Sequence, residues 1–187
     1  MDKKRINIAF LGDKQVGKSS LIERYINNTF IDNNELEPTI LKIKEYEYEN
    51  KKYNLNLLDC CNKNLDLLKS LNFKDTGFIV LVYDITNRKT FVNLEHWIDL
   101  ICNLCSVEET DIFLAVVGNK SDLTENIEIT KENGEFFCQL LNANFVYASA
   151  KEENSFWSND FENIVSNYIC YLEKKEKRKK EEEEFYY

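Results

Sequence analysis

The chain has 187 residues, of which 43% are hydrophobic and 30% are charged, and its formal net charge at pH 7 is −9. This length and composition suit one globular domain with a sizeable core. The negative charge argues against a nucleic-acid partner, which would need a basic surface. No apolar run approaches the roughly 20 residues of a membrane-spanning helix, and the first residues, 1–5, fit neither a signal peptide nor a myristoylation site.

Apolar runs alternate along the chain with segments of helical periodicity. Strands are predicted at 6–11, 41–48, 53–59, 78–84, 112–118 and 145–148, and helices at 18–28, 64–72, 90–105, 131–142 and from 159 onward. This alternation predicts an α/β fold with a mostly parallel sheet. The 41–48 segment alternates at period two, as a half-exposed edge strand does, and a hairpin turn at 49–52 would join it to 53–59.

The six cysteines and the single histidine provide little material for metal or redox chemistry. Cys102 and Cys105 form one C-x-x-C pair inside a predicted helix, without a second pair at the spacing of a zinc site. We expect reduced thiols that behave as small buried hydrophobes. His96, in the same predicted helix, is interpreted as a surface or packing residue.

A phosphate-binding motif follows the first predicted strand. Residues 12–19 read Gly-Asp-Lys-Gln-Val-Gly-Lys-Ser and match the P-loop pattern G-x-x-x-x-G-K-[ST]. Two glycines let the backbone N–H groups converge on phosphate oxygens, Lys18 reaches the β- and γ-phosphates, and the Ser19 hydroxyl coordinates Mg²⁺. The predicted nucleotide contacts in this loop are Gly12, Asp13, Lys14, Gln15, Val16, Gly17, Lys18, Ser19 and Ser20.

Two motifs after the fifth and sixth predicted strands indicate a guanine site. In residues 119–122, Asn-Lys-Ser-Asp, the Asp122 carboxylate can accept hydrogen bonds from N1–H and the N2 amino group of guanine, a donor pair that adenine lacks. Lys120 can lay its aliphatic stem on the purine face. In residues 148–151, Ala-Ser-Ala-Lys, a backbone N–H can reach guanine O6. The predicted contacts here are Asn119, Lys120, Asp122, Leu123, Ser149, Ala150 and Lys151.

With these motifs, residues 5 to about 172 resemble the Ras superfamily of small GTPases and, within it, the Rab branch. The Rab-like stretches are 77–87 (Gly-Phe-Ile-Val-Leu-Val-Tyr-Asp-Ile-Thr-Asn), 90–91 (Thr-Phe) and 97–98 (Trp-Ile). The resemblance implies a P-loop NTPase fold: a mostly parallel six-stranded sheet with one antiparallel edge strand and helices on both faces. It also implies binding of GTP or GDP with Mg²⁺, slow hydrolysis of GTP, and a role in vesicle-mediated transport.

The resemblance assigns roles to further residues. Phe30 would pack beside the guanine, and Thr39 would be the switch I threonine that meets both Mg²⁺ and the γ-phosphate. Asp59 would hold Mg²⁺ through water, together with the direct ligands Ser19 and Thr39. Lys18 and Thr39 would then act in catalysis by stabilising charge on the γ-phosphoryl group.

Switch II departs from the family pattern at the residue that orients the attacking water. The family reads Asp-x-x-Gly-Gln, whereas residues 59–63 read Asp-Cys-Cys-Asn-Lys. Lys63 stands in the glutamine's place, and an ammonium has no acceptor for the water's proton. Lys14 adds a long side chain near the γ-phosphate, where it would obstruct an arginine finger. We therefore expect hydrolysis to be impaired, and the alternative function is a non-hydrolysing GTP-binding module or scaffold.

Regulators and effectors are expected to bind the switch regions, at about 31–44 and 59–75. The spacing from Phe30 to Thr39 is two residues longer than is typical of the family, so effector choice cannot be carried over.

Residues 1–172 are predicted to form the GTPase domain, and residues 173–187 a frayed, charged tail. The tail joins a basic block, 174–180, to four glutamates, 181–184. The last cysteine, Cys170, lies in the predicted final helix and no lipidation motif is present. We expect a cytoplasmic protein with weak or indirect membrane association, peripheral to endomembranes through a partner.

Overall fold

The computed structural model describes residues 3–30, 41–60, 77–104, 112–153 and 157–185. Three residues to which the sequence assigns switch functions, Thr39, Asn62 and Lys63, lie outside these ranges, as does the predicted helix at 64–72. The P-loop and both base-recognition motifs lie inside them.

One six-stranded sheet forms the centre of the described fold. Its strands are β1 (Lys4–Leu11), β2 (Leu41–Tyr48), β3 (Lys51–Asp59), β4 (Phe78–Asp84), β5 (Phe113–Asn119) and β6 (Asn144–Tyr147). The spatial order is β2-β3-β1-β4-β5-β6. Each neighbouring pair is parallel except β2 and β3, which the hairpin makes antiparallel. The predicted sheet with one antiparallel edge strand is confirmed.

The described α-helices are α1 (Lys18–Asn27), α2 (Arg88–Val92), α3 (Leu94–Leu104), α4 (Lys131–Leu141) and α5 (Trp157–Phe185). The sequence predicts one helix at 90–105, but α2 and α3 are separate elements that meet at Asn93. The Asn93 side chain donates to Asp13 in the P-loop, which is a non-local contact that helical periodicity does not report.

Helices cover both faces of the sheet, as predicted. All seven residues of β4 are buried, because apolar side chains from both directions pack on it. On one face, Phe10 of β1 packs against Trp157 and Phe161 of α5, with ring centroids 6.3 and 5.6 Å apart. On the other face, Trp97 of α3 joins a second buried cluster with Leu81. This two-sided burial fixes the carboxyl ends of the parallel strands, where the motif loops lie.

The prediction of a frayed tail is wrong for residues 173–185, because α5 is helical through Phe185. Lys51 Nζ lies 2.6 Å from Glu173, the Tyr53 hydroxyl donates to the same carboxylate at 2.8 Å, and Lys4 Nζ lies 2.7 Å from Glu176. Along the sequence only the charge pairs within the helix are visible, whereas these contacts come from residues of β1 and β3. The domain boundary at residue 172 stays a prediction. Within the described ranges, none of the helices combines the length and apolarity needed to cross a lipid bilayer.

These contacts make a pH-dependent prediction about the end of α5. The hydrogen bond from Lys51, followed by that from Tyr53, lowers the pKa of Glu173 below its ordinary value of 4.5. A carboxyl with a lowered pKa stabilises the folded state above its unfolded pKa and loses that contribution as pH falls through its folded pKa. Amide protection in residues 177–185 should therefore decrease as the pH falls from about 5 to 3.

Hydrogen exchange corrected for intrinsic rates measures this protection. Glu173→Gln should lower protection at pH 7 and weaken the pH dependence, while Glu184→Gln, at an exposed position on the same helix, serves as the control. Equal behaviour of the two variants would contradict the role given to Glu173.

Candidate functional site

Two glycines fix the path of the loop between β1 and α1. Gly12 has φ +143°, and a Cβ there would lie 2.2 Å from the carbonyl oxygen of Val82 on β4. Gly17 caps α1 with φ +96°, and a Cβ there would lie 2.1 Å from Nδ2 of Asn119. The loop passes so close to two neighbouring segments that only glycine fits at either position.

Lys18, the first residue of α1, extends back over this loop. Its side chain is buried, with 5% of the residue exposed, and Nζ donates to the carbonyl oxygens of Gly12 at 2.9 Å and Asp13 at 2.7 Å. Burial of an ammonium is costly unless it is hydrogen-bonded, and the two carbonyls supply that compensation. The positive charge thus lies over the N-terminus of α1, where the loop's N–H groups also favour an anion.

Ser19 and Asp59 come together from different elements. The Ser19 hydroxyl on α1 donates to Oδ2 of Asp59, the last residue of β3. Hydroxyl and carboxylate oxygens are the hard ligands that Mg²⁺ prefers, usually with several retained waters. The described residues contain no group of three or more His, Cys, Asp and Glu side chains that could together hold a metal ion. The third predicted ligand, Thr39, lies outside the described residues.

The remaining loop positions differ in where their side chains point. Lys14 and Gln15 are exposed, and Val16 is fully buried. The Asp13 carboxylate turns to α3, where it accepts from Asn93 Nδ2 at 2.6 Å and from Trp97 Nε1 at 3.1 Å. Its side chain thus anchors the loop, and its predicted contact with the nucleotide stays a prediction.

Asn119 connects the phosphate loop to the base-recognition turn. It ends β5 with 2% of its surface exposed, donating from Nδ2 to the Val16 carbonyl at 2.8 Å. Its Oδ1 accepts the Ala150 N–H at 3.2 Å. A guanine O6 at the predicted position would share that donor with Asn119. One buried amide thus fixes the separation of the two motif loops.

Asp122 is oriented by the turn after β6. The Ser149 hydroxyl donates to Asp122 Oδ1 at 2.6 Å, and its oxygen accepts the N–H groups of Lys151 and Glu152 at 3.1 and 3.2 Å. One Asp122 oxygen is engaged in this way, and the carboxylate faces a cavity. The acidic group expected to read guanine is thus held in place before any ligand arrives.

Lys120 is held by a charge on a neighbouring strand. Its backbone lies in the left-handed region at φ +70°, which few residues with a Cβ adopt. Its Nζ forms an ion pair with Asp84 Oδ2 at 2.7 Å, at the end of β4. The adjacent Ser121 N–H donates to the Ala148 carbonyl at 3.0 Å. These contacts keep the stem of Lys120 along the cavity wall.

The cavity between these loops has a volume of about 240 Å³. Its lining residues are Gly17, Ser20, Phe30, Asn119, Lys120, Asp122, Leu123, Ala150 and Lys151. All nine belong to the set predicted from the sequence, although their contacts with a nucleotide stay a prediction. Phe30 is 41% exposed and Leu123 39%, so apolar surface is available at this cavity for a flat ring.

Three side chains that support this site are not among the site residues predicted from the sequence. Arg24 binds loop backbone, Asp84 binds Lys120, and Asn93 binds Asp13. Asp84 and Arg24 are buried charged residues, at 8% and 3% exposure, and a charged residue is normally expected on the surface. Only the packed fold reveals their partners.

Comparison with known proteins agrees with this arrangement. The family model for the Ras family matches residues 7–169. Human Ras-related protein Rab-12 is 34% identical over 153 residues, which cover 79% of this chain and 61% of that protein. Mouse Ras-related protein Rab-22A is 29% identical over 155 residues, covering 81% of this chain and 77% of that protein. The chain thus spans less than two thirds of the length of Rab-12.

The match to the Ras family runs from within β1 to within the first half of α5, and so includes every motif described above. The chain belongs to the Ras family of small GTPases, on the Rab side of that family.

Proposed function

We propose that the chain is a Rab-like molecular switch that binds GTP and GDP with Mg²⁺, hydrolyses GTP slowly, and acts in vesicle-mediated transport. The observation that carries this proposal is the cavity in which Asp122 stands beside the P-loop, with Asn119 joining the two. Family membership supports nucleotide binding in general. The arrangement of Asp122, Ser149 and Ala150 supports guanine in particular.

Phosphate binding and charge stabilisation fall to the P-loop. Lys18 would exchange its two loop carbonyls for phosphate oxygens, and the loop N–H groups at the start of α1 would surround the β-phosphate. Ser19, Thr39 and, through water, Asp59 would hold Mg²⁺, which supplies positive charge to the phosphates when bound. Catalysis by such a site consists of positioning and electrostatic stabilisation of the γ-phosphoryl group.

Hydrolysis depends on position 63, where this chain has a lysine and the family has a glutamine. Lys63 cannot accept a proton from water, whereas a glutamine there would orient the attacking water. We expect slow single-turnover GTP hydrolysis in the native chain and an increase of roughly tenfold, equivalent to 1.4 kcal/mol, in Lys63→Gln. The increase stays below the 10²–10⁴-fold typical of positioned proton transfer because Asn62 still replaces the family's glycine.

Single-turnover phosphate release, measured with preloaded GTP and saturating Mg²⁺, gives this rate. Lys52→Gln makes the same chemical change at an exposed position of β3 and should leave the rate unaltered. No increase in Lys63→Gln would refute the assignment of this position.

The second candidate is a non-hydrolysing module that holds GTP and acts as a scaffold. It is favoured by Lys63 and Asn62 in switch II and by Lys14, whose exposed side chain stands on the open side of the P-loop. Chromatographic analysis of the nucleotide released from freshly purified protein separates the candidates. GDP supports the cycling switch and GTP supports the persistent binder. Protein that contains neither, and binds neither on addition with Mg²⁺, would refute both.

Partners are proposed to bind at the switch regions, about 31–44 and 59–75. In the part of switch I that the structure describes, Leu41 and Ile43 of the edge strand are 44% and 58% exposed. Lys42 and Lys44 point the other way, to Glu23 and to the Tyr25 carbonyl on α1. The exposed apolar pair suits a protein effector, and we propose a cytoplasmic location with recruitment to endomembranes by such a partner.

A further inference from the structure

Arg24 is a buried cation in the last turn of α1, with 3% of its surface exposed. Its guanidinium donates from Nε to the Ala150 carbonyl at 2.9 Å, from Nη2 to the Lys151 carbonyl at 2.9 Å, and from Nη1 to the Asn28 carbonyl at 2.8 Å. A planar group with donors in a fixed fork can serve three such carbonyls at once, which an ammonium cannot do with the same geometry.

The three carbonyls belong to two chain segments that both reach the cavity. Ala150 and Lys151 line it on the side of the turn after β6. Asn28 ends α1 in the left-handed conformation, with φ +54°, and the chain reaches the cavity again at Phe30, two residues later. The guanidinium therefore sets the distance between the wall that presents backbone N–H groups and the wall that presents an aromatic ring.

The other hydrogen bonds of the turn after β6 do not determine the distance between these two walls of the cavity. Ser149 organises the turn internally, through Asp122, Lys151 and Glu152. Asn119 connects the turn to the P-loop at Val16, on the phosphate side of the cavity. Of the hydrogen bonds described here, only those of Arg24 join the turn to the segment that leads to Phe30.

We propose that Arg24 is a positioning residue for base recognition. It holds the Ala150–Lys151 backbone and the Asn28–Phe30 segment at the separation that a purine ring needs, without touching the nucleotide itself. Selectivity for the acceptor at position six of the base then depends on the Arg24 side chain, which bonds the backbone of the turn after β6. The inference rests on the proposed function, since it concerns the same nucleotide site.

The test uses Arg24→Lys, which keeps the positive charge but lacks the planar set of guanidinium donors. Binding is measured for two pairs of ligands with identical phosphates. GDP and 6-thio-GDP differ only in the acceptor at position six, which the Ala150 N–H is expected to read. GDP and IDP differ only in the N2 amino group, which Asp122 is expected to read. Arg24→Lys should weaken GDP binding about tenfold and reduce the preference for GDP over 6-thio-GDP, while the preference for GDP over IDP stays within about twofold.

A merely structural role gives a different pattern, in which all three ligands weaken by the same factor and both preferences persist. Trp157→Phe is the matched control, because Trp157 Nε1 donates to the Leu21 carbonyl on the same helix at 2.9 Å. It should lower the melting temperature without changing either preference. Unchanged preferences in Arg24→Lys, with GDP still bound tightly by the native chain, would overturn the inference alone. Failure of the native chain to bind GDP would instead overturn the proposed function.

If Arg24→Lys does not fold, the native chain provides a second measurement. The exchange rate of the Arg24 Nε–H with solvent, followed by NMR, should slow at least tenfold more with saturating GDP than with saturating pyrophosphate, because only GDP fills the base cavity. Equal slowing by the two ligands would show that Arg24 responds to the phosphate site and would overturn the proposal.

Discussion

Asp122→Asn should lower the affinity for GDP by about 10²–10⁴-fold, because both hydrogen bonds to the carboxylate, each worth about 1.5–3 kcal/mol, lose the charge and one of them also loses its acceptor. An amide presents one acceptor and one donor where the carboxylate presented two acceptors. The N2 amino group of guanine then faces an N–H, and the two donors repel each other. The same change should improve binding of xanthosine diphosphate, whose carbonyl at position two accepts from an amide.

Competition against a fluorescent GDP analogue measures both affinities in one format. Glu125→Gln, an exposed carboxylate in the short 3₁₀ helix at Thr124–Asn126, is the control and should change neither. If Asp122→Asn retained the native preference for GDP over both xanthosine diphosphate and ADP, the account of guanine recognition would be wrong.

Lys18→Met should reduce GDP affinity by about 10–10²-fold and GTP affinity by about 10²–10⁴-fold, since the charge-assisted bond to the β-phosphate and, in GTP, that to the γ-phosphate are removed while the unbranched stem is kept. GMP, which lacks the phosphates that Lys18 is expected to reach, should lose far less. The ammonium also binds the carbonyls of Gly12 and Asp13 in the ligand-free arrangement, so the melting temperature should fall slightly.

Calorimetric titration of the three nucleotides separates these effects. Lys89→Met, at an exposed position in the first turn of α2, is the matched control for loss of a lysine. Equal losses for GMP and GDP would show that Lys18 acts through the shape of the loop, contrary to the contact proposed here.

Local patterns predicted the sheet and the motif loops well. The period-two alternation of β2 indicates a strand that is buried on one face. The continuous apolar run of β4 indicates a strand that is buried on both faces, and each strand occupies the expected place. The P-loop and the base-recognition turns follow strand ends, so their convergence at one edge of the sheet follows from topology. Eight of the nine cavity-lining residues lie in or beside these motif loops, whereas Phe30 is expected there only from the resemblance to the family.

The features missed in the sequence depend on contacts between distant segments. The tail was expected to fray because its internal charge pairs are poorly oriented, yet Glu173 and Glu176 pair with lysines that lie more than a hundred residues earlier. Asp13 was grouped with the nucleotide contacts because it stands in the P-loop, but its carboxylate binds Asn93 and Trp97. No local pattern contains such partners.

The Asn119 bridge has a thermodynamic consequence for the whole site. Because one amide bonds both Val16 and Ala150, occupation of the phosphate loop restricts the same side chain that the base-recognition turn needs. The two halves of the site are then coupled. If a ligand in one half supplies the free energy that orders Asn119, a ligand in the other half does not have to supply it again. Reciprocity requires that a nucleoside and a pyrophosphate raise each other's affinity by the same factor. The intact nucleotide gains by carrying both on one molecule.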